Sequence, residues 1–162
     1  ISEVLKEADL ILTTGGVSVG DKDLVPDVIE SLNGRVLFHG IRVKPGMPTM
    51  LSVVKGTPVL SLSGNPFAVE ALFEVLAGGY LTDMEASRYL QKNQMKILKQ
   101  TFVKTGKMKR IVKGRCDESG VYLPQIQKNG QLKNGIGSNC LVIFPEGERT
   151  YAEGEAVRVI RI

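Results

Sequence analysis

Apolar residues in the first half of the chain fall into short runs, and glycine or proline closes nearly all of them. Asp9-Leu10-Ile11-Leu12-Thr13 has the length and composition of a buried parallel strand. Leu24 to Leu32 repeats apolar positions at helical spacing, so the order is strand, glycine-rich loop, helix. Arg35 to Gly40 and Ile41 to Lys44 are strand-like runs stopped by Pro45-Gly46-Met47-Pro48, where two prolines around a glycine set a rigid turn. Thr49 to Val54 reads as a hairpin arm, and Thr57 to Leu62 as a buried strand beyond Lys55-Gly56. Ser63-Gly64-Asn65-Pro66 follows, then a helix over Phe67 to Leu76. Asn65 suits the N-cap and Pro66 the first helical position, where its missing N–H costs nothing.

The second half has a different rhythm. Met95 to Val103, Arg110 to Arg115, Gly120 to Gln127, Cys140 to Phe144 and Ala156 to Ile162 alternate or run apolar between turn signals such as Asp117-Glu118-Ser119-Gly120 and Lys128-Asn129-Gly130. That pattern predicts a small β domain. Asp83 to Gln91 reads as a linking helix, which divides the chain into 1–80, 81–93 and 94–162.

Composition narrows the class. The chain has 162 residues, 43% hydrophobic and 6% aromatic, and no stretch long and apolar enough to span a bilayer, so a globular protein away from the membrane is expected. It opens on an amphipathic helix tail without Met and reads as starting within a domain. Residues 1–80 carry six basic against nine acidic residues, net −3; residues 81–162 carry fifteen against eight, net +7. The basic residues of the second half, Lys109 and Arg110 among them, lack aromatic interleaving and read as a solvated face, not a nucleic-acid site. Cys116 and Cys140 lie far apart without metal-type spacing, which predicts reduced, structural thiols in a cytoplasmic protein.

The candidate chemistry sits in Thr13-Thr14-Gly15-Gly16-Val17-Ser18-Val19-Gly20-Asp21-Lys22-Asp23. Closely spaced backbone N–H groups ahead of a helix can hold a phosphate-like oxyanion without a basic side chain, although a glycine-rich turn after a strand can equally be a plain connection. Asp21 and Asp23 beside such an anion point to a divalent metal ion. In a parallel α/β sheet the Gly15 to Asp23 and Ser63 to Pro66 loops can face one crevice. Lys44 is either a cation for an oxyanion or a surface lysine at a strand end. His39, the lone histidine, is expected to pack or to hydrogen-bond a substrate.

TTGGVSVGDKD, FHGIRVKPGMP and SLSGNP, in this order and spacing, closely resemble the molybdopterin molybdenumtransferase family, which comprises MoeA, the gephyrin E domain and its plant counterpart. That family's patterns run GGVSVGD.D, KPGKP and LPGNP. Adenylyltransferases of the MogA type usually have TTGGTG, so Val17-Ser18 points to the metal-inserting branch. Ser138 to Gly147 and Gly154 to Val159 are similar to the end of the family's C-terminal β domain.

The resemblance implies an α/β fold: part of a MogA-like three-layer pterin-binding domain over 1–80, followed by a small C-terminal β-barrel domain. It implies a dimer that inserts molybdate into adenylated molybdopterin and releases AMP, with Mg2+ as cofactor. On the matching positions, Gly15, Gly16, Ser18 and Gly20 would contact phosphate or pterin. Asp21 and Asp23 would bind metal or orient the attacking oxygen, Lys44 would bind molybdate or the phosphoryl group, and Gly64, Asn65 and Pro66 would line the pocket. Two positions depart: Met47 stands where the family usually has the second Lys of KPGKP, and Ser63 where it has the first Pro of LPGNP. Family members carry further domains upstream, so this chain alone is expected to be an inactive fragment partnered by that segment. The alternatives are a molybdopterin adenylyltransferase of the same fold and a noncatalytic binding module.

Overall fold

A computed structural model describes residues 1–18, 20, 23–77, 93–124 and 137–162. The elements run β1 (Ile11–Thr14), α1 (Val25–Ser31), β2 (Arg35–His39), β3 (Val43–Lys44), β4 (Met50–Val54), β5 (Thr57–Leu62) and α2 (Pro66–Leu72), which passes into a π-helical turn at Phe73–Ala77. Then come β6 (Asn93–Ile97), β7 (Phe102–Lys104), β8 (Lys109–Cys116), β9 (Val121–Tyr122), β10 (Cys140–Phe144), β11 (Arg149–Tyr151) and β12 (Ala156–Arg161). The chain divides into two compact units: Ile1–Arg42 with Gly46–Val69, and Val43–Pro45 with Glu70–Ile162.

The first unit is α/β, with a four-stranded sheet in the order β1-β5-β4-β2. β1 and β5 run parallel, from Ile11 opposite Val59 to Thr14 opposite Leu62. β4 and β5 are a hairpin, and Lys55 (φ 51°) and Gly56 (φ 91°) are its two-residue turn. Two consecutive positive φ angles match the right-handed twist of the strands. Ile11, Val17, Ile29, Met50, Val54 and Val59 bury one side of this sheet together with Leu5. Where sequence suggests a helix tail, residues 2–7 make turns closed by Val4 N–H to Ile1 O and Glu7 N–H to Val4 O.

α1 stops because Asn33 takes φ 54°, its N–H bonding Glu30 O while that of Gly34 bonds Ile29 O. This is the Schellman arrangement, with Asn in the left-handed position. Gly34 then passes so close to the core that a Cβ would stand 2.7 Å from Ile29 Cγ2 and 2.9 Å from Val54 Cγ2.

The second unit is a β unit. Its main sheet follows β3-β8-β10-β12-β6, with β9 on the end of β8, and β7 and β11 form a separate ribbon. Phe144 stacks on Phe102 at 4.5 Å and lies 4.7 Å from Tyr151, with Val112, Val142 and Val159 in the same core. Cys116 and Cys140 are free and buried there. Burial, then a hydrogen bond with Cys116, pushes the Cys140 thiol up to about 12. Arg161 Nη1 donates to the Cys116 carbonyl at 3.0 Å and to its sulfur at 2.9 Å.

Two expectations change in detail. Met95 to Val103 is not one strand: Leu98 turns inward, fully buried, and its N–H bonds Glu155 O, so β6 ends and β7 leaves to pair with β11. Val43–Lys44 pairs in parallel with β8 of the second unit. The Asp83 to Gln91 helix and the Lys128-Asn129-Gly130 turn lie outside the described residues.

Gly34→Ala forces Ile29 and Val54 apart and is expected to cost about 1–3 kcal/mol, read as a lower midpoint in thermal denaturation. The β8–β9 turn gives a pH-dependent case. Asp117 Oδ1 accepts from the Ser119 hydroxyl at 2.6 Å and from its N–H at 2.8 Å. The Ser119 hydroxyl, ahead of its backbone, holds the Asp117 carboxyl below its ordinary range. A depressed carboxylate stabilises the fold above its unfolded pKa of about 3.9 and loses that contribution as pH falls through the folded value. Asp117→Ala is therefore expected to lower the melting temperature at pH 7, with the gap to wild type closing below about pH 4.

Candidate functional site

Because β1 and β5 are parallel neighbours, their loops leave the sheet at the same carboxyl edge. The Gly15 N–H donates to Leu62 O at 2.9 Å and extends the ladder one step beyond the strands. Gly15 and Gly16 then take φ 80° and 65°, which suits residues without a Cβ. A Cβ on Gly64 would stand 3.5 Å from Gly15 Cα, so the two glycine loops, which the sequence sends to one edge of the sheet, touch there.

Further contacts hold the loop down. Gly16 O accepts from Val25 N–H at 2.9 Å, which ties the loop to the first turn of α1. Val17 is 1% exposed and belongs to the core. Its carbonyl lies 2.7 Å from His39 Nε2; a carbonyl can only accept, so His39 donates from Nε2. The histidine is an anchor for the loop.

At the loop's far end, Asp23 Oδ2 accepts from Gly20 N–H at 2.8 Å while Asp23 N–H donates to Gly20 O at 2.8 Å. Gly20 thus commits its donor to Asp23. Asp21 lies outside the described residues, and Ser18 is exposed. Across from this loop, Asn65 Oδ1 accepts from Ala68 N–H at 3.1 Å and caps α2, with Pro66 opening the helix. Among the described residues no group of three or more His, Cys, Asp or Glu gathers to hold a metal. A Mg2+ ion commonly uses one or two carboxylates and completes its shell with water and substrate phosphates, a need that Asp23 can serve.

Lys44 belongs to the second unit. On β3 it stands directly opposite Arg110 of β8, so the two cations sit side by side on one face. Burial lowers the pKa of Arg110 below its ordinary value. Arg110 lines a cavity of 260 Å³ with Gln100, Phe102, Lys104 and Thr105. Lys104 is 2% exposed, and its ammonium donates to Gly106 O at 2.8 Å and to Gly147 O. Sequence reasoning places Arg110 on a solvated face; in the structure it is partly buried and lines this cavity. The missed signal is the alternation within Lys109–Cys116, which puts Arg110 on the side of Val112 and Cys116.

Met47 keeps the turn closed through its backbone. Its carbonyl accepts from Ile41 N–H at 2.9 Å and Thr49 N–H at 2.8 Å, while the side chain stays exposed.

Two glycine loops meeting at the carboxyl edge of a parallel pair, in a chain that continues into a mostly antiparallel β unit, define a two-unit α/β ligand-binding class. The chain belongs to the family described as "Probable molybdopterin binding domain", whose model matches residues 1–83. It is 28% identical over 165 residues to a molybdopterin molybdenumtransferase of Staphylococcus aureus and to another of Staphylococcus epidermidis, covering 99% of this chain and 39% of each relative. It therefore spans about two fifths of the length of these relatives. Among solved structures, it is similar to a molybdopterin biosynthesis MoeA protein from Pyrococcus horikoshii, with TM-score 0.79, 26% identity, 99% of this chain and 39% of that one. A molybdenum cofactor biosynthesis protein from Pyrococcus furiosus shares the fold, with TM-score 0.72, 23% identity, 99% of this chain and 52% of that one. No described helix is long and apolar enough to cross a membrane.

His39→Leu leaves the Val17 carbonyl without its donor and is expected to cost about 1–3 kcal/mol. Hydrogen exchange of the Gly15–Ser18 amides should quicken in that variant. His39→Gln, which can present an N–H, should restore part of the protection.

Proposed function

We propose that this chain serves molybdenum cofactor biosynthesis as the pterin-holding and β portions of a molybdopterin molybdenumtransferase. The reaction would be insertion of molybdate into adenylated molybdopterin with release of AMP. The observation that carries this reading is the contact between the Gly15 and Gly64 loops at the carboxyl edge of β1 and β5, in a chain of the molybdopterin-binding family. The names of its relatives agree with it.

The residues divide the work by chemistry. Gly15, Gly16 and Ser18 offer small, close-approach positions for the phosphate or pterin, and Gly64, Asn65 and Pro66 form the facing wall. Asp23, with Asp21, would orient the attacking oxygen and hold Mg2+, which when bound would offset phosphate charge as the phosphoanhydride breaks. Within the second unit, Lys44 and Arg110, paired in register, would offer two cations to an oxyanion; adjacent like charges repel, and an anion relieves that repulsion. The partners we propose are the upstream domains that the resemblance implies and a second copy of the protein, working in the cytoplasm.

The test is molybdate-dependent AMP release from adenylated molybdopterin, with the chain combined with those upstream domains. Asp23→Asn is the sharper control, because an amide oxygen can still accept from Gly20 N–H while the charge is removed. Release that requires molybdate and falls about 10²-fold or more in Asp23→Asn is the expected result. A folded, pterin-binding mixture that releases no AMP would shift the reading to a noncatalytic binding module, and ATP-dependent product without molybdate would shift it to adenylyl transfer.

A further inference from the structure

Three hydroxyls of the first unit are shielded from solvent and have no hydrogen-bond partner among the described residues: Thr13 Oγ1, Ser61 Oγ and Ser63 Oγ. They are not scattered. Thr13 stands opposite Ser61 on β5, Ser61 opposite Met50 on β4, and Met50 opposite His39 on β2. Directly paired residues share a face of a sheet, so these four form one row across all four strands. Ser63 follows two residues beyond Ser61, just past the end of β5 at the carboxyl edge, where Gly15 N–H bonds Leu62 O.

The other buried hydroxyls of this unit are matched. Ser52 donates to Val59 O, Thr57 to Leu5 O at 3.3 Å, and Thr49 to Gly46 O at 2.7 Å. Unmatched buried hydroxyls are costly and rare in native proteins. Here they collect at the one edge where the two glycine loops meet. Ser61 is 0% exposed, so its hydroxyl cannot turn to solvent.

The chemistry of the row narrows what it can recognise. Among its described residues the only ionisable side chain is His39, whose donor is taken by the Val17 carbonyl. An anion buried against neutral hydroxyls without a cation would lose hydration with little return. A hydroxyl can donate or accept, so three of them suit an uncharged edge on which donors and acceptors alternate. We infer that Thr13, Ser61 and Ser63 form a recognition cluster for the uncharged hydrogen-bonding edge of a nitrogen heterocycle, the ring of the pterin ligand rather than its phosphate. This rests on the pterin-binding part of the proposed function and not on metal insertion.

The test titrates the chain with 6-hydroxymethylpterin, followed by quenching of pterin fluorescence, and separately with inorganic phosphate, followed by thermal shift. The variant combines Thr13→Val, Ser61→Ala and Ser63→Ala; Ser52→Ala, which removes a matched hydroxyl, is the control. The cluster is expected to cost stability, so the triple variant should melt at the wild-type temperature or above it. It should bind the pterin at least about tenfold more weakly, the scale of one lost buried hydrogen bond, and respond to phosphate as wild type does. Ser52→Ala should keep its pterin affinity. Should the triple variant fail to fold, Ser63→Ala alone, at the rim of the row, carries the comparison. Pterin affinity within twofold of wild type, absence of pterin binding by wild type, or a lower melting temperature in a folded triple variant would overturn the assignment. Hydroxyl-dependent pterin binding without molybdate-dependent AMP release would leave the cluster standing and remove only the transferase reading.

Discussion

The parallel pairing of β1 with β5 is the constraint on which the first unit depends. Parallel neighbours send their loops out at the same edge, so a four-residue register from Ile11 opposite Val59 to Thr14 opposite Leu62 decides that Gly15 and Gly64 meet. The extra Gly15 N–H bond to Leu62 O carries the register past the strand ends. The positive φ at Gly15 then turns the chain away. A slip of one residue would break the pairing of Thr13 with Ser61 and part the loops, so the register that builds the core of this unit also sets the edge to which a ligand is assigned above.

The loop itself is arranged before any ligand arrives. Gly16 is tied to Val25, Val17 is sunk in the core under His39, and Gly20 is closed on Asp23. Gly16 and Val17 are held through their carbonyls, while the Gly20 N–H is taken by Asp23 and the Gly15 N–H by Leu62 O, so these contacts fix the loop's shape and commit two of its N–H donors. α1 and α2 are seven residues each, and Asn65 already caps the second. In the reading proposed above, recognition rests on side chains and close backbone approach more than on helix ends.

Local signals made the first unit largely legible. The glycine loop, the Lys55-Gly56 turn, the Asn65 cap and Pro66 at the first helical position are each written within a few residues, and each stands where the sequence puts it. What was not legible depends on distant partners. Nothing within Ile41 to Lys44 says that Val43–Lys44 will pair with Lys109–Arg110, some 66 residues on. Without that pairing Arg110 is one basic residue among many. The end of β6 at Ile97 is equally non-local, since Leu98 leaves its strand to fill a core built from β8, β10 and β12. The row Thr13, Ser61, Met50, His39 draws one residue from each of four strands, and no window of sequence contains it.

The two departures from the family's motifs act on different physical quantities. Met47 holds its turn through a carbonyl that accepts from both Ile41 and Thr49, a task indifferent to the side chain, and its thioether is exposed. Replacing a lysine there removes charge and leaves shape intact. Lys44 in register with Arg110 places two cations together, so the oxyanion role proposed for this segment does not hang on that one position. Ser63 changes the interior instead. A proline at this position could neither donate nor accept through its side chain, whereas the serine, two residues beyond Ser61, adds a buried hydroxyl without a partner among the described residues. Retaining an unmatched polar group at the meeting point of two loops, where an apolar residue would stabilise the fold, is the pattern expected of a site shaped for a ligand rather than for stability.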